Sequence, residues 1–384
     1  MKINKKKLIV IAVSSIFITG IAVCLFSDNF KIKITGNYNY YTSINKLPHF
    51  NIEFSSKNLA SLEGQISELL KIPRNIPYSG KKISVKGKIN HNTQTIPISA
   101  KIHGMYADHW KEKYSLKILT KKNNTLLEMN GFILLRPVTR FFLSDWIAAE
   151  FEKKTEQLSL KRLFVSSSIN SSTKKTYLVE ESFKGLSKRL EDSILVFSYK
   201  VINDSVLIKP YNLNFNEKLK RKIEIELSAF ISNSIENEIL NLNDFGTYYA
   251  INDLCQGFHQ LVEFNTHLYY NYKTKKISPI GREWNSLNYV GKFDKTLTIN
   301  YLKKDSCHFP PSKLHYSLFN IQKFENIYFK KLELLSEIKL NKFFNERKDK
   351  IELYNKILWK DMGKLNYNFN YIYDNMEFIS QSLK

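Results

Sequence analysis

Arg162-Leu163-Phe164-Val165-Ser166-Ser167-Ser168-Ile169-Asn170, Ser171-Ser172-Thr173 and Lys174-Lys175-Thr176-Tyr177-Leu178-Val179-Glu180 read as two strands about a polar turn. Both arms carry the β-branched and aromatic residues that suit a pleated surface, and a serine-rich turn separates them, which is a hairpin pattern. Working back from it, Leu143, Trp146, Ile147 and Phe151 recur at helical spacing, with Asp145, Glu150 and Glu152 mostly on the opposite face. Further back, Ile83/Val85 and Ile96/Ile98 alternate with polar residues, as do Tyr114, Leu116 and Ile118 within Lys113–Leu119. One helix, near Leu59–Leu70, interrupts this strand-rich stretch, and Tyr78-Ser79-Gly80-Lys81 is a turn. Working forward, Phe245–Val262 predicts a helix, and a second hairpin follows with arms His267–Tyr272 and Lys276–Ile280. From about Ile321 the pattern is that of packing helices. This order predicts an α+β domain with a strand-rich N-terminal part and a helical C-terminal part.

Ahead of that domain, Leu8 to Phe26 runs for nineteen residues without a charge. At about 1.5 Å per residue it spans roughly 28 Å, close to the hydrocarbon thickness of a bilayer. The residues before it include Lys2, Lys5, Lys6 and Lys7, which by the positive-inside rule leave the N-terminus in the cytoplasm. A cleaved signal peptide is the rival reading. Val23-Cys24-Leu25-Phe26 offers neither small residues for cleavage nor a lipoprotein box, so an uncleaved anchor is expected. The expected organisation is a cytoplasmic basic stretch over 1–7, a transmembrane anchor over 8–26, a juxtamembrane linker over 27–45 and one extracytoplasmic domain over 46–384.

Composition narrows the function classes. The chain has 43% hydrophobic and 14% aromatic residues, ample for a core, and 58 basic against 36 acidic residues give a net charge of +22. The lysines are spread along the whole length, so no nucleic-acid partner is expected; an anionic glycan or phosphate remains compatible. Cys255 and Cys307 admit either a disulfide or two buried thiols, and no C-x-x-C pair is present. Nor is there a G-x-G-x-x-G, a G-x-x-x-x-G-K-[ST], a G-x-S-x-G or an H-E-x-x-H.

A series of short motifs resembles the CotH kinase family, in its membrane-associated bacterial branch. They run Lys101-Ile102-His103-Gly104, Asp108-His109-Trp110, Lys113-Tyr114-Ser115-Leu116-Lys117, Arg136-Pro137-Val138-Thr139-Arg140 and Tyr177-Leu178-Val179-Glu180-Glu181-Ser182-Phe183-Lys184. Ala250-Ile251-Asn252-Asp253-Leu254, Phe264-Asn265, Leu268-Tyr269-Tyr270-Asn271 and Pro279-Ile280-Gly281-Arg282-Glu283 complete the series, in order over about 50–290. The resemblance implies an atypical protein-kinase-like fold, with ATP and Mg²⁺ as cofactors and envelope protein or glycan-linked material as substrate. It implies that Lys113 positions phosphate beside Gly104, that Glu180 pairs with Lys113, and that Asn265 and Glu283 bind metal, the needs of phosphoryl transfer being a cation, its carboxylate partner and oxygen ligands.

Read without the resemblance, Lys113 is an exposed strand lysine, Glu180 a polar strand end, Asn265 a turn residue and His103, Asp108 and His109 loop surface. The chain also departs from the pattern. Glu283 stands where the family has aspartate, and Phe264 where it has histidine. Gln260 occupies the position, five before the asparagine, where protein kinases carry a catalytic aspartate; His259 or Glu263 would have to serve instead. An extracytoplasmic domain also meets little ATP. Two functions therefore stay open: an envelope-facing Mg²⁺-dependent kinase, or a catalytically inactive factor for binding or assembly of surface polysaccharide or envelope proteins.

Overall fold

The computed structural model describes residues 28–74, 76–111, 113–121, 124–212, 214–233, 238–284, 295–304, 310–363 and 366–384. The hairpin that opened the sequence reading forms as β6 (Arg162–Ile169) and β7 (Lys175–Glu181), its turn passing through Asn170 and Ser171 at positive φ. It belongs to a closed barrel with β1 (His49–Glu53), β2 (Ser84–His91), β3 (Gln94–Ile102), β4 (Leu116–Thr120) and β5 (Gly131–Leu135), in the order β1-β2-β3-β4-β5-β7-β6. Closure comes from a parallel pairing, His49 with Ser166 through Ile52 with Ile169. Alternation then sends one side chain in two inward. Phe50, Ile52, Ile89, Ile98, Ile118, Phe132 and Val179 fill the interior without exposure. Helix α2 (Ser56–Leu69) packs Leu62, Ile66 and Leu69 into the same cluster, and its Ser55 cap accepts from the Asn58 amide.

The outer face of β5, β7 and β6 is also covered. Ile133, Leu135, Leu178 and Phe164 join a second, larger core with α3 (Ser144–Lys154), α6 (Leu242–Cys255) and the C-terminal helices. That core includes a separate four-stranded sheet, ordered β11-β10-β8-β9, of β8 (Ile194–Ile202), β9 (Ser205–Pro210), β10 (His267–Asn271) and β11 (Lys276–Ile280). Helix α4 (Phe183–Arg189) leads from β7 into this sheet, and α5 (Glu217–Asn233) packs on β9. The chain ends in α7 (Thr298–Leu302), α8 (Lys313–Phe319), α9 (Gln322–Ser336), α10 (Leu340–Asn345), α11 (Lys348–Met362) and α12 (Asn370–Ser382).

The structure corrects several expectations. The fold class is mixed α/β, with a closed seven-stranded barrel and a helical C-terminal part, and not the expected α+β, atypical protein-kinase-like domain. The reason is the long-range β1–β6 pairing, which turns an open antiparallel sheet into a barrel and leaves it no edges. Among the described residues no helix is long and apolar enough to cross a membrane, and the expected span, 8–26, lies outside them. The stretch read as linker is helical, α1 (Asp28–Ser43), and packs on α11. Gly36 meets the Trp359 ring so closely that a Cβ there would lie 2.1 Å from it. The polar face of α3 is buried, Asp145 fully and Glu152 to 2% exposure. Cys255 is a buried free thiol, and Cys307 lies outside the described residues.

Candidate functional site

Strand register brings the charged motif residues into one line. Lys101 pairs with Lys117, Lys117 with Ile133, Ile133 with Glu180 and Glu180 with Arg162. All five point out of the barrel, because their neighbours Ile102, Leu116, Phe132 and Val179 fill its interior. The row faces the second sheet, where β11 ends in Gly281-Arg282-Glu283 and Glu283 holds a positive φ of 58°.

At the Glu180 end the row is saturated with ion pairs. Glu180 accepts from Arg282 Nε at 3.0 Å and from Arg162 Nε at 3.3 Å. Burial alone would raise its carboxyl, but Arg282, Arg162 and Arg140 together hold it below the usual carboxylate range. Arg162 also donates to Glu152 at 3.1 Å and to the Gly281 carbonyl at 2.9 Å. Gly281 has no room for a side chain, since a Cβ would lie 2.0 Å from Glu152 Oε1. Arg140, from the short turn Pro137–Arg140, donates to Glu283 Oε1 at 2.9 Å and lies 3.1 Å from Asp145. Glu283 Oε2 is 3.1 Å from His259 Nδ1. Against the cost of burial, Arg140 and Arg282 keep Glu283 ionised, its carboxyl held well below the usual range.

The other end of the row is unneutralised. Among the described residues no carboxylate lies within ion-pair distance of Lys101, Lys117, Lys184 or Lys209. The half-buried Lys117 ammonium is pushed down to about 8, first by burial and then by Arg282, Lys101, Lys184 and Lys209. The Gly104 turn closes this side. Gly104 has φ +85°, its carbonyl accepts from Lys82, and a Cβ would strike the His109 ring at 2.1 Å. His103 and His109 meet edge to face at 5.4 Å, and burial holds both imidazoles neutral, His109 at about 3.

The expected site residues divide accordingly. Asn265, His259 and Glu283 do come together: Asn265 Nδ2 donates to the His259 carbonyl at 3.0 Å, and His259 reaches Glu283. Glu180 and the His103-Gly104 turn share charged neighbours, since Arg282 and Arg140 act on both the Glu180 carboxyl and the His103 imidazole. Lys113 does not join them. Its Nζ is 2.6 Å from Asp361 on α11 and donates to the Thr176 carbonyl at 2.8 Å. Thr176 is four residues along β7 from Glu180, about 13 Å at strand rise, so the expected Lys113–Glu180 pair is absent. Of the substitute bases, His259 lies against Glu283 and Glu263 accepts from the Val201 amide, while Gln260 itself is buried and donates its amide to Asn252.

Mg²⁺ does not fit the residues expected to hold it. Both oxygens of Glu283 are engaged, by a guanidinium and an imidazole, and a second guanidinium stands 3.7 Å away. A divalent cation there would face two fixed positive charges. Among the described residues no group of three or more His, Cys, Asp or Glu side chains could hold a metal ion.

Arg140, Arg162, Arg282, Lys117, Asp145 and Glu152 build the site, and sequence reasoning assigned a role to none of them. All three of Arg140, Arg282 and Lys117 stood inside the motifs: Arg282 beside Glu283, Lys117 four residues after Lys113, and Arg140 in a motif from which no site residue was chosen. No family model matches the chain, and no curated protein matches it.

Proposed function

We propose that this protein binds a phosphate-bearing ligand of the cell envelope in the basic cleft between the barrel and the second sheet, without catalysing phosphoryl transfer. It would be held at a membrane through residues 8–26 and face away from the cytoplasm, as a binding or assembly factor. One observation carries the reading. The carboxylates that a metal would need are consumed by arginines, while Lys101 and Lys117 on the same row have no carboxylate within ion-pair distance among the described residues. An anion between Lys101, Lys117, Lys184 and Lys209 relieves their mutual repulsion and forms charge-assisted hydrogen bonds. The CotH resemblance supports phosphate as the ligand chemistry, and the arginine clamp on Glu283 argues against a metal-dependent step.

The test is calorimetric titration of the full chain with pyrophosphate, with and without Mg²⁺. The reading expects binding in EDTA that weakens as salt is raised. Binding that appears only with Mg²⁺ and disappears in Glu283→Gln would overturn it in favour of a kinase, and absence of binding at millimolar pyrophosphate would overturn it outright.

A further inference from the structure

The outward face of α1 carries a stripe that is exposed among the described residues. Ile34, Tyr38 and Tyr41 are 50%, 68% and 57% exposed, and they follow one another at i, i+4 and i+7. At 100° per residue they fall within about 60° of one another on the helix. Gly36, Tyr40 and Ser43, which are buried, lie on the other side; Gly36 meets Trp359 on α11. One face of the helix is thus fixed to the body of the protein, and the opposite face presents an isoleucine and two tyrosines to the surroundings. Lys360 flanks the stripe, with Nζ 2.7 Å from the Tyr41 hydroxyl and 4.2 Å from its ring centre, and Lys31 lies one turn before Ile34.

We propose that this face rests in the interface of an anionic bilayer, with α1 lying along the membrane surface. Three features select that occupant. Ile34 is eight positions after the end of the apolar run Leu8–Phe26. Tyrosine is the side chain that suits a headgroup boundary, its ring apolar and its hydroxyl wet. The flanking lysines complement acidic headgroups. The inference rests on the reading that residues 8–26 enter a membrane, and it sets how the body of the protein is held: α1 is clamped to α11, so the membrane fixes the orientation of the whole fold.

The full chain reconstituted in phosphatidylcholine–phosphatidylglycerol vesicles tests this, with a tryptophan introduced as Tyr38→Trp and lipids brominated near the top of the acyl chain. The added emission should fall at least twofold in brominated vesicles, while Ile225→Trp, on the exposed face of α5, should be unaffected. If the chain floats with the vesicles but the two variants respond alike, the interfacial face is wrong and the anchor reading survives. If the chain does not float, both fail. Efficient disulfide cross-linking of Tyr38→Cys between copies would assign the stripe to a second copy and also overturn the proposal.

Discussion

Lys117 carries the account at the level of single residues. Burial, then the charges of Arg282, Lys101, Lys184 and Lys209, push its ammonium down to about 8. The unfolded chain keeps its lysine proton up to about 10.5, so between pH 8 and 10.5 it binds more protons than the folded form, and this group's contribution to stability rises with pH. Below pH 8 the penalty is present in full. Lys117→Met should therefore raise the melting temperature at pH 7 while weakening pyrophosphate binding about tenfold, a trade of stability against function. In the wild type, affinity should fall as pH rises through 8, read by titration at pH 7 and 9. Burial lowers the Lys113 ammonium as well, but Asp361 pairs with it and opposes that shift. Lys113 is 8% exposed and paired with Asp361, so Lys113→Met strands a largely buried carboxylate and should cost about 3 kcal/mol in denaturant unfolding. Pyrophosphate affinity should not change, whereas a phosphate-positioning role would abolish it.

At the level of elements, α3 shows what periodicity can and cannot reveal. The apolar stripe of Leu143, Trp146, Ile147 and Phe151 was legible and is buried. The acidic residues, read only as lying mostly opposite that stripe, meet arginines: Asp145 lies by Arg140 and Glu152 by Arg162, both close in sequence, and Glu150 lies by the distant Arg347. No local pattern announces a partner nearly two hundred residues away. The local hairpins, β6–β7 and β10–β11, were readable for the converse reason, since turn chemistry and alternation are contained within twenty residues. The β8–β9 hairpin also carried its signal, an Asn203-Asp204 pair at positive φ, without being recognised. Burial of that acidic face has a measurable consequence. Burial raises the Glu152 carboxyl to about 7, above its unfolded value near 4.5, so the folded form binds more protons across that window. The stability this group contributes is present below pH 4.5 and is lost as pH rises to 7. Glu152→Gln, which mimics the protonated form, should match wild type at pH 5 and exceed it in melting temperature at pH 8. The Gly104 turn gives a sharper result: φ of +85° and the His109 ring leave no space for a methyl group, so Gly104→Ala should cost about 1–2 kcal/mol or more.

For the whole molecule, the barrel, the second sheet and the C-terminal helices are joined by buried charge as well as by apolar packing. Lys117, Glu180 and Arg162 share one row because β4, β5, β7 and β6 align them, and Arg282 just after β11 meets that row at Glu180. Their order in sequence was visible; the barrel closure that sets their geometry was not, since His49–Ile52 and Ser166–Ile169 pair across more than a hundred residues. The same gap explains the misassigned lysine. Strand alternation points Lys117 at the cleft, whereas Lys113, ahead of β4, reaches Asp361 on α11. The central claim is that this cleft takes a phosphate-bearing anion without metal. Its most direct measurement is pyrophosphate affinity in EDTA for wild type, Lys117→Met and Lys113→Met side by side. The account predicts metal-independent binding, weakened about tenfold in Lys117→Met and unchanged in Lys113→Met. Binding that requires Mg²⁺, or that is lost in Lys113→Met and retained in Lys117→Met, would contradict it.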